Sequence, residues 1–183
     1  MTILTEALIV SATEQKTVTA CIRAAKTVEL PTLGDGWIFD FKRQSQLPLA
    51  QTYVLTTLEN STRIEGCLIF ELKIGGGPWM SFVEVAPHNT GSSKQYEHVG
   101  TCLIMWACEL SLQQGTNHNK GFLMFEVAHQ PFVVHEKLTK LYRQKYGAIR
   151  YATTDKSTVF LMAQHQKKDM INHYLRPKNS ENH

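Results

Sequence analysis

Apolar side chains that recur every three or four residues predict helices in three stretches of the chain: Thr13 to Leu30, Val99 to Gln114 and Phe132 to Lys145. In the first stretch Val18, Ile22 and Ala25 share one helical face, and Pro31 stops the helix. Gly115 follows the second stretch, and a glycine in that position is typical of a helix end.

Short runs rich in β-branched and aromatic residues predict strands at Trp37 to Phe41, Tyr53 to Thr57, Arg63 to Lys73, Trp79 to Val85, Gly121 to Phe125, Ile149 to Ala152 and Thr158 to Ala163. The first four are closely spaced, which is typical of an antiparallel meander, and the last two predict a hairpin. Between the meander and the hairpin, the strand Gly121 to Phe125 lies between the second and third predicted helices. The order therefore predicts a single mixed α/β domain over residues 1–163, followed by a polar extension, residues 164–183.

The composition is that of a globular protein, with 43% hydrophobic and 19% charged residues. The formal net charge is only +3, which argues against nucleic acid as the main partner. No stretch approaches the roughly 18 apolar residues of a membrane span. The first residues lack the basic region of a signal peptide, so we expect a cytoplasmic protein.

The cysteines predict neither a metal site nor a nucleophile. None has CxxC spacing or a histidine at a zinc-ligand interval, and none adjoins a base with an orienting acid: Cys21, Cys67, Cys102 and Cys108. We therefore expect four reduced and mostly buried thiols.

The most informative part of the sequence is a strand-to-helix turn between Phe82 and Leu103. An apolar strand runs into a polar loop, and Gly100 lies just inside the long helix that follows. The first N–H groups of a helix have no intrahelical partner, and the helix dipole adds positive potential there. A diphosphate fits such a turn. The pattern alone is equally typical of an ordinary strand–loop–helix connection.

The run Gln95-Tyr96-Glu97-His98-Val99-Gly100-Thr101-Cys102-Leu103 resembles the Q/R-x-x-G-x-G/A-x-x-L signature of the GNAT superfamily of N-acetyltransferases. Val83 to Pro87 is similar to the end of the family's fourth strand, and Leu141 to Ala148 to its second motif. The likeness extends from about Arg63 to Ala163. His98 departs from the signature, because it stands at the first glycine position.

The resemblance implies a GNAT fold, in which a central, twisted, mostly antiparallel sheet is flanked by helices and splays between its fourth and fifth strands. Acetyl-coenzyme A would lie in that gap, with its pantetheine arm along the backbone of Val83 and Val85. Backbone N–H groups of the turn would hold the pyrophosphate: those of Gln95, Tyr96, Glu97, His98, Val99, Gly100 and Thr101. The basic run Lys137 to Lys145 is either a solvated helix face or a site for the adenosine 3′-phosphate.

The resemblance also implies catalytic roles. Tyr142 lies where the family often has the general acid that protonates the departing thiolate, and Tyr146 could replace it. Glu84 is the first candidate for the general base and Glu126 the second. Each also has a structural interpretation, as a core tyrosine or a solvent-facing carboxylate. Three histidines are expected at surface or loop positions and could still relay a proton: His88, His129 and His135.

The predicted function is direct transfer of an acetyl group from acetyl-coenzyme A to a primary amine of a small molecule or peptide. The main alternative is a catalytically inactive module of the same fold that binds coenzyme A or a partner protein as a sensor. A different phosphate-binding enzyme ranks lower, because neither G-x-x-x-x-G-K-[ST] nor G-x-G-x-x-G occurs. Since dimers are frequent among such folds, a homodimer is compatible with either interpretation.

Overall fold

The computed structural model describes residues 3–75, 77–128, 131–163 and 167–177. The strands are β1 (Ile3–Ser11), β2 (Thr17–Ala24), β3 (Ala50–Thr57), β4 (Gly66–Lys73), β5 (Gly77–Val85), β6 (Tyr96–Glu97), β7 (Phe122–Ala128), β8 (Ile149–Thr153), β9 (Ser157–Ala163) and β10 (Leu175–Pro177). The helices are α1 (Phe41–Gln44), α2 (Val99–Gln114), α3 (Phe132–Tyr146) and α4 (Lys168–Tyr174). No helix in the described ranges is both long and apolar enough to cross a membrane.

The strands form one mixed sheet in the order β10-β1-β2-β3-β4-β5-β7-β9-β8, and β6 pairs with the end of β1. Every pair of neighbours is antiparallel except β5 and β7, which are parallel. The predicted meander is confirmed for β3, β4 and β5, and the predicted terminal hairpin is confirmed as β8 and β9.

The sheet opens between β5 and β7. Their register pairs Trp79 with Met124 and Met80 with Phe125, and in the described chain no further pair follows. At the same point β5 shifts register against β4 between Met80 and Phe82, and such a bulge bends a strand and increases its twist. β5 and β7 are the fourth and fifth strands of the sequence prediction, so the predicted splay is confirmed.

One face of the sheet packs against α2. Eleven of the sixteen residues of this helix are buried, because the sheet lies on one side of it and α4 on another. Gly66 on β4 allows the close approach: a Cβ at this position would lie 2.8 Å from both Leu103 Cδ1 and Val99 Cγ1. The missing side chain therefore fixes how near the first turns of α2 lie to the sheet.

The opposite face is covered by the segment between β2 and β3. Trp37 and Phe41 meet edge to face with ring centroids 5.5 Å apart, and Phe39 meets Phe82 at 5.1 Å. The prediction of a strand over Trp37 to Phe41 is wrong. The segment turns instead: Asp40 caps α1, which begins at Phe41, and the N–H groups of Ile38 and Phe39 donate to the Glu84 side chain and not to a neighbouring strand.

The helix predicted over Thr13 to Leu30 is also wrong, since β1 and β2 form a hairpin there. Val18, Ala20 and Ile22 all pack on the main core, which is the period of a strand. The spacing of Val18 and Ile22 satisfies both a helical and an alternating pattern. Pairing of β2 with β1 on one side and β3 on the other decides between them.

The described part of the C-terminal segment joins the sheet. Ile171 of α4 is buried, and Leu175 of β10 pairs with Ala7 of β1. Residues 164–166 and 178–183 of the predicted extension lie outside the described residues.

We expect Gly66→Ala to lower the free energy of unfolding by about 1–3 kcal/mol, because the added methyl group overpacks the contact between α2 and β4. Urea denaturation followed by circular dichroism measures this change. Gly34→Ala is the matched control, since its added Cβ would make only an ordinary contact, 3.5 Å from Thr32 Oγ1. Wild-type stability in Gly66→Ala would contradict the packing argument.

Candidate functional site

A cavity of about 500 Å³ lies beside the part of β5 that β7 leaves unpaired. Its walls come from the end of β5, the start of α2 with the preceding loop, and one face of α3. The cavity brings together most of the predicted site residues: Val83, Glu84, Val85, Tyr96, Glu97, His98, Val99, Gly100, Thr101 and Tyr142. Gln95 is the predicted cofactor residue that does not line it.

The N-terminus of α2 has no side-chain cap. The first backbone N–H groups of the helix, those of Val99, Gly100 and Thr101, therefore have no intrahelical partner. All three residues line the cavity. A Cβ on Gly100 would lie 3.3 Å from Val85 Cγ1, so the glycine lets the turn pack tightly on the end of β5. An uncapped helix start beside a cavity suits an anion, because its N–H groups and dipole both favour negative charge.

The backbone N–H groups of Gln95 and Tyr96, in the first half of the signature, already have hydrogen-bond partners within the protein. The N–H of Gln95 donates to the His88 carbonyl oxygen at 3.2 Å, and that of Tyr96 donates to Asn89 Oδ1 at 3.0 Å. β6 also pairs with β1, so these residues form an extended segment on the edge of the sheet. Of the residues predicted to hold the pyrophosphate, those from His98 onward therefore lie at the start of α2.

A buried carboxylate, which no sequence pattern indicates, organises this loop. Glu65 is 0% exposed, and its oxygens lie 2.7 Å from Arg63 Nε, His88 Nε2 and Asn89 Nδ2. Asn89 in turn accepts the N–H of Tyr96. His88 is thus a half-buried partner of Glu65. Because acidic and basic residues two apart are common in strands, the spacing of Arg63 and Glu65 does not predict that the Glu65 carboxylate is buried.

Lys145 brings a positive charge to the start of α2. Its Nζ donates to Thr101 Oγ1 at 2.8 Å, and the Tyr146 hydroxyl lies 2.9 Å from the same oxygen. Burial lowers the pKa of Lys145 and raises the pKa of Tyr146 to about 12. Tyr146 therefore stays neutral at physiological pH and orients Thr101 within the turn.

The basic run on α3 divides between two faces of the helix. Lys145 lines the cavity, whereas Lys137, Lys140 and Arg143 line a separate groove on the outer face, together with His135. Residues 142 and 145 are three apart, so helical periodicity could have placed Lys145 beside Tyr142 from the sequence.

His98 adopts the left-handed backbone conformation, with φ of 69°. This conformation is cheap for glycine and costs other residues about 1–2 kcal/mol, which accounts for the glycine in the family signature. The imidazole ring lies 5.4 Å from the ring of Tyr174 in α4. Burial, with a smaller contribution from the charge of Lys145, lowers the pKa of His98 below its ordinary value of 6.5.

Tyr142 lies on the wall of the cavity that α3 provides and is only 6% exposed. Its ring packs on Phe125 of β7 with centroids 4.4 Å apart. Burial, with a smaller contribution from Tyr146, raises the pKa of the Tyr142 hydroxyl. The hydroxyl therefore keeps its proton at neutral pH and can act as a proton donor.

The two predicted base candidates differ in position. Glu84 lines the cavity, and its Oε1 and Oε2 accept the N–H groups of Ile38 at 2.8 Å and Phe39 at 3.0 Å. The carboxylate therefore anchors the loop that covers this face of the sheet. Glu126 is exposed, accepts the Ser157 hydroxyl at 2.9 Å, and is not among the residues of the cavity. His129 lies outside the described residues.

All four cysteines are buried, as predicted, and in the described residues none of them forms a disulfide. Burial raises the pKa of Cys67 and raises that of Cys102 to about 12. A thiol attacks as the thiolate, so these two cysteines are poor nucleophiles at neutral pH.

Solved structures with a similar fold include acetyltransferases. A GNAT-family acetyltransferase from Bacillus cereus ATCC 10987 has a TM-score of 0.55 at 11% identity, over 79% of this chain and 96% of that chain. For mutant forms of the spermidine/spermine N-acetyltransferase SpeG from Vibrio cholerae, the TM-score is 0.53 at 13% identity, and the match covers 82% of this chain and 98% of that chain. For the ribosomal-protein-S18-alanine N-acetyltransferase from Escherichia coli, the TM-score is 0.52 at 12% identity, and the match covers 90% of this chain and 99% of that chain. No protein-family profile and no curated protein matches the sequence significantly.

The chain therefore has the GNAT acetyltransferase fold, as the resemblance of its strand-to-helix turn predicted.

We expect His98 to make the protein less stable as the pH falls. Its pKa is lowered in the folded state, so below about pH 6.5 the unfolded chain takes up the proton more readily and unfolding is favoured. His98→Asn, which tolerates the left-handed backbone, should show a shallower fall of the unfolding free energy between about pH 7.5 and 5.5. Urea titrations at several pH values measure it, with the exposed His118→Asn as the control. Parallel pH profiles of wild type and His98→Asn would contradict the expectation.

Proposed function

We propose that the protein is an N-acetyltransferase that transfers the acetyl group of acetyl-coenzyme A to a primary amine. The observation that carries the proposal is the cavity beside the unpaired end of β5, which the uncapped start of α2 and Tyr142 both line. The acetyltransferases that share the fold support the same reaction class.

The cavity residues fit a diphosphate joined to an extended arm. The first turn of α2 offers N–H groups, and Lys145 adds a positive charge beside Thr101. Beyond Met80, the edge of β5 that faces away from β4 is unpaired in the described chain, so its backbone can bond an extended amide-containing arm as an added strand would. Acetyl-coenzyme A supplies the acetyl group as an activated thioester.

Tyr142 is proposed as the proton donor for the leaving sulfur. Its hydroxyl belongs to a buried side chain that keeps its proton at neutral pH and lines the cavity. The raised pKa of Cys102 argues against an acyl-cysteine route and in favour of direct attack by the amine.

Glu84 is proposed as the acceptor of the amine's proton, directly or through a water molecule. Each carboxylate oxygen has a second lone pair, so the hydrogen bonds from Ile38 and Phe39 leave acceptor capacity. The same bonds hold residues 37–39 beside the site, where they would form part of the surface that receives the amine. Two acetyltransferases of this fold are named for spermidine/spermine and for an alanine of ribosomal protein S18, which supports an amine acceptor.

A second candidate function is a sensor that binds coenzyme A without catalysis. One observation favours it: both Glu84 oxygens are already engaged by backbone N–H groups, as in a purely structural anchor. Release of free thiol over a broad panel of amines distinguishes the two functions.

We expect saturable micromolar binding of acetyl-coenzyme A in calorimetric titrations, and no comparable binding of ADP. Lys145→Met should weaken binding by about 10-fold or more, because a hydrogen bond to a charged group contributes roughly 1.5–3 kcal/mol. Lys140→Met is the matched control on the outer face of α3 and should bind as the wild type does. Absence of binding by the folded protein would contradict both candidate functions.

We expect Tyr142→Phe to lower the rate of thiol release by about 100-fold or more, because general acids contribute at least that much. Its affinity for acetyl-coenzyme A should stay close to that of the wild type. Tyr146→Phe is the comparison variant, since its hydroxyl bonds Thr101 and its loss should weaken binding more than turnover. Full turnover in Tyr142→Phe would show that the leaving thiolate obtains its proton elsewhere.

A further inference from the structure

A second groove of about 1300 Å³ lies on the outer face of α3, between this helix and the start of β8. Glu136, Lys140 and Arg143 line this groove, whereas Leu138, Leu141 and Lys145 line the cavity, so the two sites use different faces of one helix. The volume exceeds the roughly 300–1,000 Å³ of small-molecule pockets. The groove is therefore sized for a chain segment.

The groove is basic. Lys137, Lys140 and Arg143 follow one another on α3, Arg150 contributes from β8, and Glu136 is the acidic residue among the groove residues. In the described part of the chain none of these four cations takes part in an ion pair. Unpaired cations on one wall favour an acidic ligand.

The groove also carries exposed apolar surface. Phe132 is 62% exposed and Ile149 is 60% exposed, and both line the groove. Val133, next to Phe132 on α3, is 60% exposed as well. Exposed apolar surface framed by charge is typical of a protein interaction site.

The strand beside the groove is the end strand of the sheet. β8 pairs with β9 on one side, and in the described chain no strand lies on its other side. Every residue of β8 is exposed. An open strand edge offers backbone donors and acceptors to an extended peptide.

We propose that this groove binds an extended acidic segment of a partner protein. Glutamate or aspartate side chains would meet Lys137, Lys140 and Arg143, and interspersed apolar side chains would cover Phe132 and Ile149. α3 has 15 residues and is about 22 Å long, which corresponds to about seven residues of extended chain.

Two other occupants fit less well. A second copy of the chain, docked symmetrically through the same groove, would place the same four cations opposite one another. A nucleic acid would use the cations but would leave the aliphatic surface of Val133 and Ile149 without a partner, and it would face Glu136.

Fluorescence anisotropy with a labelled peptide of about eight residues, alternating Glu with Val or Leu, tests the proposal. We expect binding to the full-length protein at low salt and at least 10-fold weaker binding to Lys140→Glu/Arg143→Glu. The matched control is Lys42→Glu/Arg43→Glu on α1, which makes the same charge change at exposed positions and should bind as the wild type does. Circular dichroism confirms that both variants are folded.

A peptide with Lys in place of Glu should bind at least 10-fold more weakly than the Glu peptide. No binding of the Glu peptide, or equal losses in the two double variants, would overturn the proposal. So would tighter binding of a single-stranded RNA of matched length, which would assign the groove to nucleic acid. A dimer in light scattering that Lys140→Glu/Arg143→Glu dissociates would assign it to a second copy. Each of these results is independent of acetyl transfer.

Discussion

The site depends on how closely α2 approaches the sheet. Gly66 on β4 and Gly100 at the start of the helix lack side chains where the two elements meet, so the first turn of α2 packs against the end of β5. Interiors are close-packed, and a helix cannot shift by the width of a methyl group without losing contacts along its length. The uncapped N–H groups of α2, the free edge of β5 and the α3 wall around Tyr142 consequently face one cavity.

Two different constraints hold the rest of the site. On the α2 side, the buried carboxylate of Glu65 ties the loop before the helix to β4 through His88 and Asn89. On the opposite face, Glu84 holds the 37–39 segment by its backbone. Glu84 acts on backbone N–H groups, which every residue except proline possesses, whereas Glu65 depends on the side chains of His88 and Asn89. The loop before α2 is therefore more sensitive to substitution than the segment that Glu84 holds.

That dependence explains what could be predicted from the sequence. α2 was predicted with its observed bounds because its apolar period is long and a glycine ends it. The splay and the cavity followed from the short signature around Gly100. The prediction of a helix over Thr13 to Leu30 is wrong for β2 because the apolar spacing of this strand satisfies both periods, and its pairing with β1 and β3 decides. The hydrogen bonds of Glu65 and Glu84 join residues far apart in sequence, so no local pattern signals them.

The two ends of the described chain meet in the sheet. The Thr5 hydroxyl donates to the Arg176 carbonyl oxygen at 3.0 Å, and Tyr174 of the adjoining helix supports His98 at the start of α2. The two residues joined by this hydrogen bond are 171 positions apart, so the entropy of closing so long a loop opposes the pairing of β1 with β10 until the intervening sheet has formed. Loss of this pairing would also take Tyr174 away from His98, which couples the edge of the sheet to the start of α2.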